Sequence, residues 1–368
     1  MSDARTHLIR ARRVVVKIGS RALAKDPDGA ARLAAEVAHL SSPKRSFVVV
    51  SSGAIAIGCE RLGYRARPKD VAKLQAAAAT GQSVLMRRYD EALGSAGLVA
   101  AQVLLTHGDL ADRERLNNAR QALGALMEAG AVPIINENDT VATEEICFGD
   151  NDQLAAMVVP LVGAELLVLL TDVEGVLDVR GQLVSQMTDD NDVANIDRQD
   201  SVGTGGMGSK LDAANKACRS GANVVIASAA RPHVLSDILR GHNVGTHFVA
   251  TARTLRARKH WIAYTLRPKG DILLDPGAVR AVASGRSSLL PVGVLGVRGQ
   301  FNPGDAVRLV AADGAEVGRG LARVGAMEVA LSAGKKGSSL ELAFGPRGVD
   351  LVIVHKDDLV ADPRAVAG

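Results

Sequence analysis

Short β-branched runs alternate with longer Ala- and Leu-rich segments through the first two-thirds of the chain. Val14-Val15-Val16-Lys17-Ile18 stops at Gly19, and residues 47–50 stop at Ser51-Ser52-Gly53. Residues 98–105, 132–135, 166–170 and 224–226 predict further strands. Helical patterns fall between them, at roughly 29–40, 54–62, 71–93, 113–128, 152–159 and 210–219. Near-continuous apolar strands separated by helices predict βαβ units and a mainly parallel sheet covered on both faces. In such sheets ligands bind beyond the carboxyl ends of the strands.

The pattern changes after residue 250. Arg253, Arg256, Arg258, Lys259, Arg267 and Lys269 follow one another with no Asp or Glu between them. A basic linker is expected at 253–270, between an α/β domain at 1–252 and a smaller unit at 271–368. In that unit, glycine-punctuated apolar runs at 271–274, 292–297, 306–310 and 351–354 predict a β-rich, barrel-like domain. Its eight Arg and three Lys are balanced by eleven Asp and Glu, so the unit is not basic.

Composition narrows the function classes. A chain of 368 residues with 47% hydrophobic and 23% charged residues is not a disordered one. At 2% aromatic it has few rings for base stacking. The net charge of +4 is a mild excess. Cys59, Cys147 and Cys218 are too dispersed for a disulfide framework, and the histidines form no H-x-x-x-H pair. The longest apolar stretch, 154–170, is interrupted by Pro160, Gly163 and Glu165 and is short for a membrane span. Residues 1–13 show no secretory h-region. A soluble cytoplasmic protein, with no membrane partner, is the expectation.

Five polar clusters sit at predicted strand ends. Lys17-Ile18-Gly19-Ser20 puts a cation at the end of an apolar strand, where it is costly unless it meets an anion. Ser51–Gly58 opens a helix with small residues, whose N-terminus suits an anion or an ordinary cap. Asn136-Glu137-Asn138-Asp139 and Gly149-Asp150-Asn151-Asp152 crowd four acids and three amides into two loops. Such loops hold an ammonium group, accept Mg2+ through oxygens, orient lysines, or simply turn the chain. Thr171-Asp172 ends a strand before the Gly175 turn, with a hydroxyl and a carboxylate that suit a ribose or base. Thr204-Gly205-Gly206-Met207-Gly208-Ser209-Lys210 leads into a helix and reads physically as a phosphate cradle, although it is neither G-x-x-x-x-G-K-[ST] nor G-x-G-x-x-G. Together the clusters suit phosphoryl transfer to an acceptor that is already anionic. A carboxylate is ionised at neutral pH and needs no general base, so the requirement is charge neutralisation and alignment.

These segments resemble the amino-acid kinase family: V-V-V-K-I-G-S, S-S-G-A-I-A-I-G, A-A-A-A-T-G-Q, D-R-E-R-L-N-N-A-R, V-P-I-I-N-E-N-D-T-V-A-T, F-G-D-N-D-Q-L-A-A, L-L-T-D-V-E-G-V and T-G-G-M-G-S-K. Within the family the N-E-N-D block paired with G-D-N-D resembles the members that phosphorylate the γ-carboxylate of L-glutamate. The stretch from Asp271 to Val294 resembles a PUA domain. The resemblance implies an amino-acid kinase fold over 1–252 and a PUA-like domain over 271–368. It implies MgATP as phosphoryl donor, γ-glutamyl phosphate as product in the first step of proline biosynthesis, feedback inhibition by proline, and a homo-oligomer. By motif, Lys17 and Lys210 stabilise the transferring phosphoryl group and Asp152 holds the two lysines. Ser52, Asp139 and Asn151 bind glutamate, with Asn136 and Asp150 nearby. Lys17, Gly19, Thr171, Asp172 and the loop Thr204, Gly205, Gly206, Met207, Gly208, Ser209 and Lys210 bind ATP.

Three departures stand out. Arg21 follows the first glycine turn, where the family has a small or apolar residue; the hairpin after Gly175 is short; and Gly208 replaces the usual Ser or Ala. Two alternatives compete with the glutamate reading. A kinase for N-acetylglutamate or carbamate fits the N-E-N-D and G-D-N-D pair and the C-terminal domain less well. RNA is the weaker partner expectation: it rests on the PUA likeness and the basic 253–269 segment, against the neutral charge of the unit itself.

Overall fold

The computed structural model describes residues 5–26, 28–141, 151–188, 206–251, 254–348 and 350–362. The chain divides into two units, Met1–Thr254 and Leu255–Gly368.

In order, the first unit comprises α1 (Thr6–Ile9), β1 (Arg13–Ile18), α2 (Ser20–Lys25), α3 (Gly29–Leu40), β2 (Ser46–Val50), α4 (Ala54–Arg61), α5 (Val71–Gly94), β3 (Ala100–Leu105), α6 (His107–Ala111), α7 (Arg113–Glu128), β4 (Val132–Glu137), α8 (Asn151–Val162), β5 (Leu166–Thr171), β6 (Gln186–Met187), α9 (Met207–Arg219), β7 (Asn223–Ser228), α10 (Val234–Leu239) and β8 (Thr246–Phe248). The sheet order is β3-β4-β2-β1-β5-β7-β8-β6. All pairings are parallel except β7 with β8.

The central strands are mainly apolar because both faces are covered. Val15, Val48, Val50, Ile135, Leu167 and Leu169 pack with α8 and α9 residues such as Ala155, Val159, Ala213 and Ala217. Val14, Val16, Val49, Ile134, Val168 and Leu170 pack on the other face with Leu33, Val37, Leu85 and Tyr89 of α3 and α5. The two-residue alternation puts Lys17 on the same face as Val15, the face covered by α8 and α9. In register, Lys17 lies opposite Val50 of β2 and Leu169 of β5, and Val50 lies opposite Ile135 of β4. The polar clusters that follow β1, β2, β4 and β5 therefore meet at one edge of the sheet.

Arg5 fastens the N-terminal segment to this unit. Its buried guanidinium donates to the carbonyls of Ser185, His242, Val244 and Gly245.

The second unit contains α11 (Ala257–Tyr264), β9 (Gly270–Leu274), α12 (Pro276–Ala283), β10 (Val294–Gly299), β11 (Ala306–Val310), β12 (Glu316–Ala322), α13 (Ala326–Ser332), α14 (Ser338–Phe344) and β13 (Val354–Ala361). Its sheet runs β10-β9-β11-β12-β13, antiparallel except between β9 and β11. Ile272, Leu274, Val282, Phe301, Val307, Leu309, Val329 and Leu359 form its core. Within 253–270, residues 257–264 are helical. The last strand runs Val354–Ala361 rather than 351–354: Lys356 and Asp357 are exposed while Leu359 and Val360 are buried. Strand β12 carries Gly318 and Gly320, where a Cβ would lie 2.4 Å from the Val360 oxygen and 2.4 Å from Val354 Cγ1 respectively. Close strand approach demands glycine there, and glycine disguises the strand in the sequence.

Candidate active site

At the end of β1, Lys17 Nζ lies 2.6 Å from Asp152 Oδ1. Lys210 Nζ, in the first turn of α9, lies 3.0 Å from Asp152 Oδ2. All three are buried, at 5%, 6% and 0% exposure in the order Lys17, Lys210, Asp152. Asp152 occupies the first turn of α8, where the helix dipole favours a negative charge. One carboxylate between two ammonium groups leaves an excess positive charge out of bulk water. Such an arrangement is costly unless an anion completes it.

The residue before Asp152 builds a second, amide-rich group. The Asn151 side-chain Nδ2 donates to Ser51 O at 2.9 Å, to Ser52 Oγ at 2.8 Å and to Asn136 Oδ1 at 3.1 Å. Ser51 O is only an acceptor, so it fixes which end of the Asn151 amide points at β2. Asn136 Oδ1 also accepts from the Glu137 N–H at 2.9 Å, which turns Asn136 Nδ2 toward α5. There Asn136 Nδ2 donates to Gln82 Oε1 at 2.9 Å, and Gln82 Nε2 donates to Gln102 Oε1 at 3.4 Å. Ser51 Oγ lies 2.9 Å from the buried hydroxyl of Tyr89, whose pKa burial pushes up to about 12, so it stays neutral. The buried Asn151 Oδ1 has no hydrogen-bond partner among the described residues.

Asp139 follows β4 in the same loop. Burial pushes its carboxyl up to about 6, with the charge of Arg67 acting in the opposite direction. A carboxylate poised this way gains from an incoming cation. On the β5 side, buried Thr171 places its hydroxyl 3.3 Å from Asp172 Oδ1. Gln153 of α8 donates to the carbonyl and hydroxyl of Ser209, which ties the start of α9 to α8. Gly206 caps α9 in an extended conformation, and a Cβ on Gly208 would meet nothing within 4 Å among the described residues. Met207 packs against the core, so its side chain turns inward. Gly19 caps α2, and a Cβ there would make only ordinary contacts, 3.5 Å from Lys17 Nζ and 3.7 Å from Leu170 O. Among the described residues, nothing in the packing requires glycine at that position.

Lys17, Asp152 and Lys210 thus meet directly, as do Ser52, Asn136 and Asn151. Asp150, Thr204 and Gly205 lie outside the described residues. Gln82, Gln102, Tyr89 and Gln153 carry no functional expectation from the sequence. Gln82 stands within A-A-A-A-T-G-Q, a segment whose helical pattern gives no reason to single out its last residue. Among the described residues, no group of three His, Cys, Asp or Glu side chains is arranged to hold a metal ion.

Residues 12–228 match the amino acid kinase family and residues 270–342 match the PUA domain. The chain belongs to the amino acid kinase family. Relatives of the chain include glutamate 5-kinases, matched nearly end to end. Glutamate 5-kinase of Geobacter metallireducens is 44% identical over 367 residues, 96% of this chain and 98% of its own length. That of Chromobacterium violaceum is 47% identical over 363 residues, 95% and 97%. That of Thermus thermophilus is 45% identical over 366 residues, 96% and 98%. The chain is therefore a kinase of the glutamate 5-kinase branch. The solved N-acetylglutamate synthase of Neisseria gonorrhoeae, complexed with coenzyme A and N-acetyl-glutamate, is similar with a TM-score of 0.51 at 17% identity, covering 68% of this chain and 62% of its own. That likeness concerns the fold alone.

Proposed function

We propose that this kinase transfers the terminal phosphoryl group of ATP to the γ-carboxylate of L-glutamate, the first step of proline biosynthesis. One observation carries the reading: two buried lysines share one buried carboxylate, and the residue before it on α8, Asn151, opens an amide-lined acceptor site. Glutamate 5-kinase relatives at 44–47% identity support it.

In this reading Lys17 and Lys210 meet the negative charge of the phosphoryl group in flight, and Asp152 sets the spacing between them. The acceptor carboxylate attacks as it stands, since the ordinary glutamate side-chain pKa of ~4.3 keeps it ionised at neutral pH. Asp139 receives the α-ammonium of glutamate. Ser52, Asn151 and Asn136 fix the remaining polar groups, with Asn151 Oδ1 open toward the acceptor. Thr171, Asp172 and the start of α9 hold the nucleotide. Mg2+ brought in with the nucleotide would supply further charge neutralisation, beside the charge that Lys17 and Lys210 provide. Both Asp152 oxygens face ammonium groups, so that carboxylate serves as a lysine holder.

Proline inhibition, homo-oligomeric assembly and a cytoplasmic location belong to the same proposal. Among the described residues, no helix is long and apolar enough to cross a membrane. RNA remains the lesser partner: in the second unit Arg308 pairs with Asp271, Arg258 with Asp358, Lys269 with Asp305 and Arg319 with Glu316. Cations so engaged have less to offer a phosphate backbone.

The test is an ATP-dependent hydroxamate assay with glutamate, N-acetylglutamate and aspartate as acceptors. Hydroxylamine traps an acyl phosphate, so product with glutamate alone is expected. A preference for N-acetylglutamate, or ATP turnover without trapped product, overturns the reading.

A further inference from the structure

We infer that Gln82 is a positioning residue for the acceptor site, and that the glycine crossing of α4 and α5 exists to deliver it. The inference rests on the reading of the strand-end cluster as the glutamate site. Helices α4 and α5 touch backbone to backbone. A Cβ on Gly58 would stand 1.7 Å from Ala77 O, and one on Gly81 would stand 1.8 Å from Ala54 O and 2.7 Å from Gly58 N. Side chains of any size at these two positions force the helices apart. Because α4 starts directly after Ser51-Ser52-Gly53, the crossing brings the residue after Gly81 to the carboxyl ends of β2 and β4.

That residue is Gln82, and the hydrogen-bond network assigns it one task. Asn136 is 2% exposed. Its Oδ1 is committed to two donors, the Asn151 amide and the Glu137 N–H. Its Nδ2 therefore needs an acceptor, and Gln82 Oε1 is the acceptor at 2.9 Å. With that acceptor present, Asn136 has one satisfied orientation, and in it Asn136 holds the Asn151 amide in place. Gln82 thus acts through Asn136 on Asn151 and on the direction of Asn151 Oδ1. Gln102 supports Gln82 from the exposed side through a longer bond, 3.4 Å, and is the weaker link.

The test is a double-mutant cycle in the full chain, with Gln82→Met, Asn136→Ala and the pair, read by hydroxamate kinetics and thermal denaturation. Gln82→Met keeps the stem and removes the acceptor. The expected result is a glutamate KM raised about ten-fold, from a buried donor left without its partner. The ATP KM stays within about two-fold and the melting midpoint is little changed. The double variant should be no worse than Asn136→Ala alone, because the two residues act in series. Gln102→Ala should change the glutamate KM less than about two-fold. An unchanged glutamate KM in Gln82→Met, an equal rise for ATP, or additive effects in the pair overturns the inference. If Gln82→Met folds poorly, Gln82→Ala takes its place, and loss of folding in both makes Gln82 a structural residue and overturns it as well. A wild-type chain with no glutamate-dependent turnover refutes the function and not the geometry. The geometry is then judged from a crystal structure of Gln82→Met: a displaced or flipped Asn136 amide upholds it, and an unmoved one overturns it.

Discussion

Gly81→Ala is the sharpest perturbation of the helix crossing, because two effects of opposite sign compete there. Replacing glycine by alanine inside a helix normally stabilises it by roughly 0.5–1 kcal/mol. Here the new methyl would fall 1.8 Å from Ala54 O and 2.8 Å from Ala54 C. Ordinary non-bonded contact lies near ~3.5 Å, so the backbones must part by roughly 1.5 Å. A gap of ~0.5–1 Å already forfeits a quarter to a half of the dispersion well for the atoms along it. Overpacking of this kind costs about 1–3 kcal/mol, and the clash is with backbone that has no alternative rotamer. At mid-range the clash wins by about 1 kcal/mol. For a unit of this size that is a fall in Tm of roughly 2–4 °C. Scanning calorimetry of the full chain gives the midpoint of the first unit, and steady-state kinetics gives the second readout. Gln82 moves with its neighbour, so the glutamate KM should rise while the ATP KM holds. A midpoint equal to or above wild type would mean that helix propensity prevails and that α4 and α5 are not in backbone contact.

Lys17→Met or Lys210→Met should lower kcat by ~10²–10³-fold at saturating substrates, the loss expected of a donor aimed at developing charge; near-normal kcat in both removes the lysines from that role. Asp139→Ala should raise the glutamate KM tens-fold with little change for ATP, since breaking a desolvated charge pair typically costs ~2–5 kcal/mol; any proline inhibition should weaken with it. Burial raises the Asp139 carboxyl to about 6, so the neutral form dominates below that pH and cannot pair with an ammonium. The kcat/KM for glutamate in wild type should therefore fall as pH drops through about 6, and Asp139→Asn should show no such limb. The same sign makes ionised Asp139 a cost to folding above pH 6, so Asp139→Asn should melt no lower than wild type at pH 7. A chain truncated after Thr254, the end of the first unit, should keep glutamate-dependent hydroxamate formation; a folded but inactive truncation would place part of the catalytic apparatus in the second unit.

The sheet was legible because its strands are buried on both faces and announce themselves as apolar runs. Lys17 was legible for the same reason: a lone cation in such a run has to be answered by an anion. What the chain conceals is long-range pairing. Arg5 finds its four carbonyls 180 to 240 residues away, and no local pattern marks it. Gln82 is an ordinary helix-forming residue until Asn136, 54 positions later, turns its amide toward it. Strand β12 escaped because Gly318 and Gly320 lack the branched side chains that signal a strand, and β13 because a charged stretch interrupts its apolar ends. From composition and position alone Asp152 and Asn151 read only as a polar cluster at a helix start; the family resemblance implied separate roles for them, and the fold puts Asp152 between Lys17 and Lys210 and Asn151 beside Ser52 and Asn136.

That division falls on consecutive residues of one helix. Successive side chains on an α-helix diverge by about 100°, so α8 sends Asn151 toward Ser52 and Asn136 and Asp152 toward the lysines from a single rigid origin. In the proposed reaction the two halves consequently share one mechanical reference. Any tilt or slide of α8 that widens the acceptor pocket also pulls the carboxylate from between its lysines. Redesign for a bulkier acid is therefore better aimed at residues off α8, such as Asp139 after β4, than at the helix itself.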